Sequence, residues 1–186
     1  KKIIKNHPEA KFLSGGTDLS LEVTKARKEI EKIISLNSIK ELDFIYNKKN
    51  EIEVGAGTSL LKFEKYIKKY YLDFDSILKR YGSVQIRNVG TIAGNIATAS
   101  PIGDTLPLLL ALDAKIILDG KKKEIIPINK FFISYRKTRL KKGQFIFSVK
   151  IPLYKKNIFK AYKISKRFED DISSVCGSFN IEIDKN

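Results

Sequence analysis

Apolar positions along the chain change their period several times, and each change marks a candidate element. Lys1–Asn6 has the spacing of a helix already under way. Lys11–Ser14 is a short apolar run ending in Gly15-Gly16-Thr17-Asp18, a strand followed by a tight turn. Leu19, Val23 and Ala26 recur at helical spacing, and Lys32–Leu36 returns to a strand pattern. Leu42–Tyr46 and Ile52–Val54 flank Asn47-Lys48-Lys49-Asn50, which predicts a hairpin. Leu60, Phe63, Ile67 and Tyr70 fall on one helical face, behind Thr58 or Ser59 as a cap. A second short helix is expected over Ser76–Tyr81.

From Gly82 to Asp104 the periodicity disappears under a density of Gly, Asn, Thr and Ser. Leu106–Leu112 is then helical, Lys115–Leu118 and Lys123–Ile128 are strands, and Asn129–Tyr135 reads as a helical turn. Phe145–Ile151 alternates as a strand and stops at Pro152. Tyr154–Asn157 has the polarity of a linker. Beyond it, Phe159–Ser165 and Ile172–Ile183 read as strands around the charged turn Lys166–Asp171. The expected class is α+β, with one unit over 1–153 and the first strands of another over 158–186. The chain has no initiator methionine, and it reads as a segment of a longer protein.

Composition narrows the chemistry. With 186 residues, 42% of them hydrophobic, the chain can bury roughly 70% of its unfolded surface. Its one cysteine, Cys176, and one histidine, His7, leave no disulfide framework, no multi-cysteine metal site and no Ser-His or Cys-His relay. No apolar run reaches the ~20 residues of a membrane span and no signal peptide opens the chain, so a soluble, cytoplasmic domain is expected. Its chemistry must come from a bound cofactor or a partner. The net charge of +15 raises a competing class, a basic module for nucleic acid or a membrane surface. Most of that charge is scattered lysine without an aromatic stacking platform, which fits solvated surface better.

Two segments carry candidate chemistry. Ser14-Gly15-Gly16-Thr17-Asp18-Leu19 places consecutive glycines after a strand, where backbone N–H groups can converge on an anion. Thr17 adds a hydroxyl and a helix start adds its dipole, a combination suited to a diphosphate. Alone, the segment fits a plain strand-to-helix turn slightly better. The stretch from Gly90-Thr91-Ile92-Ala93-Gly94-Asn95 to Thr98 and Asp104 is filled with small and hydroxyl-bearing residues, as in a close wall against a large or phosphorylated ligand. Together the two point to a dinucleotide. Gly55-Ala56-Gly57-Thr58-Ser59-Leu60 imitates a Rossmann fingerprint, but Leu60 stands where a third glycine or alanine belongs, so an ordinary turn is expected. Cys176 reads as a buried, inert thiol.

Three segments form a more specific pattern: Lys11-Phe12-Leu13-Ser14-Gly15-Gly16-Thr17-Asp18-Leu19; Gln85-Ile86-Arg87-Asn88-Val89-Gly90-Thr91 through Pro101-Ile102-Gly103-Asp104; and Tyr162-Lys163 through Asp170-Asp171-Ile172. In this order the chain resembles, over nearly its whole length, the FAD-binding portion of the molybdenum hydroxylases, and most of all the small iron–sulfur/FAD subunit of the bacterial xanthine dehydrogenase branch. The resemblance implies a two-subdomain FAD-binding fold of the vanillyl-alcohol-oxidase/p-cresol-methylhydroxylase type, followed by a separate α+β domain. It implies that Phe12, Leu13, Ser14, Gly15, Gly16, Thr17, Asp18 and Leu19 wrap the FAD diphosphate. Thr91, Ile92, Ala93, Gly94 and Asn95, with Thr98 and Asp104, would serve the ribityl, diphosphate and adenosine parts. Tyr81 and Ile146 would contact the cofactor, and Lys163 would reach the flavin.

By the same resemblance no side chain acts as acid, base or nucleophile and none binds metal. Electrons from a purine oxidised at a molybdenum cofactor on a partner subunit would pass through two-iron clusters, in a domain upstream, to FAD and on to NAD. A hetero-oligomer is implied. The flavin subunit of a carbon monoxide dehydrogenase or an aromatic molybdenum hydroxylase is the alternative, and Asp170-Asp171-Ile172 favours the xanthine branch. Ala93 departs from the pattern, which has glycine before Gly94. If that position needs positive φ, alanine costs about 1 kcal/mol or more.

Overall fold

In the computed structural model, which describes residues 2–183, the chain begins as a small βαβ unit. Lys1 of the expected first helix and residues 184–186 of the expected second unit lie outside the described residues. Helix α1 (Lys2–Asn6) precedes β1 (Lys11–Leu13), α2 (Leu19–Thr24) crosses over, and β2 (Ile33–Ser35) runs parallel to β1 with Phe12 opposite Ile34. The five-stranded sheet that follows opens with the expected hairpin, β3 (Ile45–Lys48) and β4 (Glu51–Gly55). Five helices follow: α3 (Leu60–Ile67), α4 (Leu72–Lys79), α5 (Val84–Val89), α6 (Ile92–Thr98) and α7 (Thr105–Ala111). Then come β5 (Lys115–Asp119), β6 (Glu124–Pro127), the small hairpin β7 (Phe132–Ser134) and β8 (Lys137–Thr138), and β9 (Phe145–Pro152). A last hairpin is made of β10 (Ile158–Ser165) and β11 (Ser173–Ile181).

Alternation along the strands builds the core. The antiparallel sheet runs β3-β4-β9-β5-β6, so the last strand of the unit lies at its centre. Ile52 and Val54 on β4, Val149 and Ile151 on β9, and Ile116 and Leu118 on β5 are buried together, while Glu51, Lys150 and Lys115 take alternate positions on the same strands. The helices cover the apolar face with Leu60, Phe63, Ile67, Phe74, Leu78, Ile96 and Leu108. Phe63 meets Phe74 edge-on at 5.4 Å between ring centres. Ser59 caps α3, accepting from the Lys62 amide at 3.2 Å.

Three local expectations change. The helix expected at Ser76 starts four residues earlier, at Leu72, because Phe74, Ile77 and Leu78 share its buried face. The supposedly aperiodic stretch after Gly82 contains two helices. Ser83 caps α5 through the Ile86 amide at 3.3 Å, and Thr91 caps α6 through the Gly94 amide at 3.0 Å. Only Ile92 and Ile96 give α6 an apolar stripe, too short to register as a period. After Ile128 a single turn of 3-10 helix gives way to the β7–β8 hairpin rather than a longer helical turn. Ala93 sits inside α6, 4% exposed, with its φ outside the positive range, so the structure demands no glycine there. Ala93→Gly should destabilise the fold by about 0.5–1 kcal/mol in urea titration, since glycine loses more backbone freedom in a helix.

The last hairpin folds back on the helices. Phe159 packs against Tyr71 at 5.0 Å and against Phe74 at 6.5 Å between ring centres. The Tyr71 hydroxyl donates to the Pro152 carbonyl at 2.8 Å and accepts from the Tyr154 amide at 3.1 Å, which ties down the start of the expected linker. Among the described residues no helix is long and apolar enough to cross a membrane.

Candidate functional site

The βαβ unit, the α5–α6 region and the β10–β11 hairpin enclose a cavity of about 860 Å³. Of the sequence-predicted residues, Phe12, Ser14, Gly15, Gly16, Thr17, Asp18 and Leu19 line it from one segment. Tyr81, Thr91, Ala93, Gly94, Asn95, Thr98, Asp104, Ile146 and Lys163 line it from others. Ile92 is buried in the core instead, and Leu13 is outside the lining. The presumed ordinary turn also contributes, through Ala56 and Leu60. Arg136, Leu140, Gln144 and Phe145 form a wall that carried no glycine or hydroxyl signal, and Asp170, Asp171 and Ile172 close the rim.

Backbone contact shapes the glycine loop. A Cβ on Gly15 would lie 2.2 Å from the Val89 carbonyl oxygen and 2.6 Å from the Gly90 Cα, so the loop and the residues before α6 touch main chain to main chain. Gly16 has φ +73, which glycine adopts without strain. Ser14 Oγ donates to the Ala56 carbonyl at 3.2 Å and lies 3.2 Å from Thr91 Oγ1. Within the described residues the Gly15, Gly16 and Thr17 amides find no acceptor, leaving their donors for a ligand. Below the cavity Arg87 meets Glu64 at 3.0 Å, both buried, and donates to the Gly82 carbonyl at 2.5 Å, bracing α5 against α3.

The opposite side is an interlocked polar cluster. Lys163 Nζ is 2.7 Å from Asp104 Oδ2 and donates to the Arg80 carbonyl at 2.9 Å; the two charged side chains are 1% and 4% exposed. Lys163 therefore reaches the cavity with its charge already paired. Ser173 donates to the second Asp104 oxygen. Asn95 donates to the Tyr81 hydroxyl at 2.7 Å and accepts from Thr105. Burial, aided by the Asp104 charge, raises the Tyr81 phenol above its usual range, so it stays a neutral donor. Arg80 clamps the neighbouring turn, with Nε 2.9 Å from the Phe168 carbonyl and its guanidinium 4.4 Å over the Phe168 ring. Within that turn Arg167 holds the Asp171 carboxyl at about 2.

Cys176 Sγ lies 3.6 Å from the Asp104 carbonyl, and burial, then the Asp104 charge, push its thiol up to about 11. The thiolate fraction at neutral pH is then roughly a hundredfold below that of a free thiol. Iodoacetamide should label the native chain slowly at pH 8 and the unfolded chain fast; equal rates would refute the burial argument. Because the unfolded thiol loses its proton first, this group's contribution to stability falls as pH rises from about 9 to 11.

Residues 1–154 match the family described as the FAD binding domain in molybdopterin dehydrogenase. The chain belongs to this family. As an FAD-binding domain, it is 32% identical to a xanthine dehydrogenase of Oryza sativa subsp. japonica, over 96% of this chain and 14% of that protein. It is 33% identical to the xanthine dehydrogenase/oxidase of Gallus gallus, over 92% of this chain and 14% of that protein. This FAD-binding domain thus spans only about one-seventh of the curated relatives' length. Its fold is shared with quinoline 2-oxidoreductase from Pseudomonas putida 86, at a TM-score of 0.90 and 18% identity, covering 98% of this chain and 65% of that one. It is shared too with a carbon monoxide dehydrogenase from Hydrogenophaga pseudoflava, at 0.86 and 23%, covering 92% and 61%. The free amides at the glycine loop and a cavity large enough for a dinucleotide both suit FAD.

Proposed function

We propose that this domain is the flavin-carrying electron-transfer module of a xanthine dehydrogenase-like molybdenum hydroxylase. The observation that carries the reading is the convergence of the Ser14–Leu19 loop, the Thr91–Asn95 segment, Tyr81, Asp104, Ile146 and Lys163 on one cavity. In this reading the amides of Gly15, Gly16 and Thr17 hold the FAD diphosphate. Ala93 and Gly94 keep the wall close, and Thr98 and Asn95 supply polar contacts. Bound FAD supplies the conversion between single-electron and hydride chemistry. The chain's own part is to bind, orient and exclude water. The Lys163–Asp104 ion pair lies beside the cofactor, and the Tyr81 hydroxyl keeps its proton there.

The same reading extends to the rest of the assembly, with the xanthine dehydrogenase names of the relatives as its support. Electrons would arrive from two-iron clusters in an upstream domain, after a purine is oxidised at a molybdenum cofactor on a partner subunit. They would leave to NAD, in a cytoplasmic hetero-oligomer. The unit over 1–153 would carry the cofactor and the β10–β11 hairpin would open a second domain, over 158–186, that closes on it through Lys163. The flavin subunit of a carbon monoxide dehydrogenase or aromatic hydroxylase is the second reading, favoured by the shared fold. Titrating the chain with FAD tests the core of the proposal. Quenched flavin fluorescence with saturable, stoichiometric binding supports it, and a chain that leaves FAD free in solution refutes it. In the assembled enzyme, flavin reoxidation by NAD rather than by another acceptor tests the finer claim.

A further inference from the structure

The β7–β8 hairpin ends in Tyr135 and Arg136, between the paired residues Ser134 and Lys137. Arg136 has φ 51, in the left-handed region where a side chain is strained, although glycine or asparagine would suit this turn without strain. Arg136, a solvent-exposed residue, borders the cavity together with Gln144 and Phe145 of the same wall. That wall adjoins the glycine loop's own strand, because Phe12 packs on Phe145 at 5.4 Å between ring centres. Of the other charges of the lining, Asp104 is paired with Lys163, Glu22 with Lys11 and Asp171 with Arg167. Lys25 is the other lining cation without an ion pair among the described residues, and it lies at the end of α2 rather than on this wall. Among the described residues Arg136 makes no ion pair, side-chain hydrogen bond or ring contact. Of the five non-glycine residues with positive φ, Arg136 is one of two that border the cavity, and it is the one that carries an unpaired cation there, as suits a residue held for an anionic ligand.

We propose that Arg136 is a second phosphate anchor of the cavity, its planar fork binding a diphosphate oxygen that the glycine-loop amides leave exposed. This rests on the reading that the cavity holds a dinucleotide, and it adds a binding residue which neither the glycine loop nor the small-residue segment contains. Arg136 acts by binding and orienting; no electron or proton passes through it.

Titration of the full chain with FAD, at low and high salt, tests it with three variants. Arg136→Gln should weaken FAD binding about ten- to a hundredfold and flatten the salt dependence, as loss of one charge-assisted contact requires. Arg136→Lys should recover part of the affinity. Arg136→Gly should weaken FAD equally while raising the Tm of the ligand-free chain by roughly 2–4 °C, because it releases the strain. A purely structural arginine would not yield a more stable chain that binds FAD more weakly. If the unsubstituted chain binds FAD and all three variants bind it as tightly, the anchor is refuted and the flavin reading stands. If the unsubstituted chain takes up no FAD, both fall.

Discussion

Asp104→Ala is expected to destabilise the domain by about 3–5 kcal/mol and to abolish saturable flavin binding. The carboxylate side chain is 4% exposed and holds Lys163 Nζ at 2.7 Å and the Ser173 hydroxyl. Removing it leaves a buried ammonium whose remaining partner is the Arg80 carbonyl. Desolvating an uncompensated charge costs far more than the pair contributes when intact. Urea titration of three proteins separates the terms. The single variants Asp104→Ala and Lys163→Ala should each lower the midpoint strongly. The double variant Asp104→Leu/Lys163→Met should recover much of the stability, because it buries no charge, yet fail to restore flavin binding. Single variants costing less than about 1 kcal/mol would show that water reaches the pair.

Gly15→Ala is the second large effect. The added Cβ would sit 2.2 Å from a backbone carbonyl, where ordinary contact begins at 3.4 Å, so the loop or the Val89–Gly90 segment must move by about 1 Å. No side chain can rotate away to relieve it. The expected cost is about 1–3 kcal/mol of stability and on the order of a hundredfold in flavin affinity, since displaced amides no longer converge on one anion. Gly177→Ala is a suitable control, because a Cβ there meets only the Phe179 ring, at 3.6 Å. Isothermal titration with FAD alongside thermal melts checks both quantities. Affinity retained in Gly15→Ala would mean that the loop does not grip the ligand through its backbone.

Much of the frame was legible because it rests on short-range pattern. Alternation at Ile52–Val54 and Phe145–Ile151, the helical spacing of Leu60, Phe63 and Ile67, and the paired glycines before Asp18 each need only a window of a few residues. The helices after Gly82 were hidden for the same reason. Their caps and short stripes make sense only against a sheet that local spacing does not contain. Arg136, Leu140, Gln144 and Phe145 escaped notice because a cavity wall needs no residue type of its own.

Which elements form, how the main sheet strands alternate, and that the glycine pair must turn where it does are written into neighbouring residues, because propensity and period act within a helix turn or a strand. Which charges meet is another matter. Lys163 and Asp104 are 59 residues apart and Ser14 and Thr91 are 77 apart, and both contacts exist only once the βαβ unit and the last hairpin close on the helices. The cavity belongs to that packing: its walls come from distant stretches of chain, and burial, which sets their pKa shifts and pairing strengths, is a property of the assembled fold.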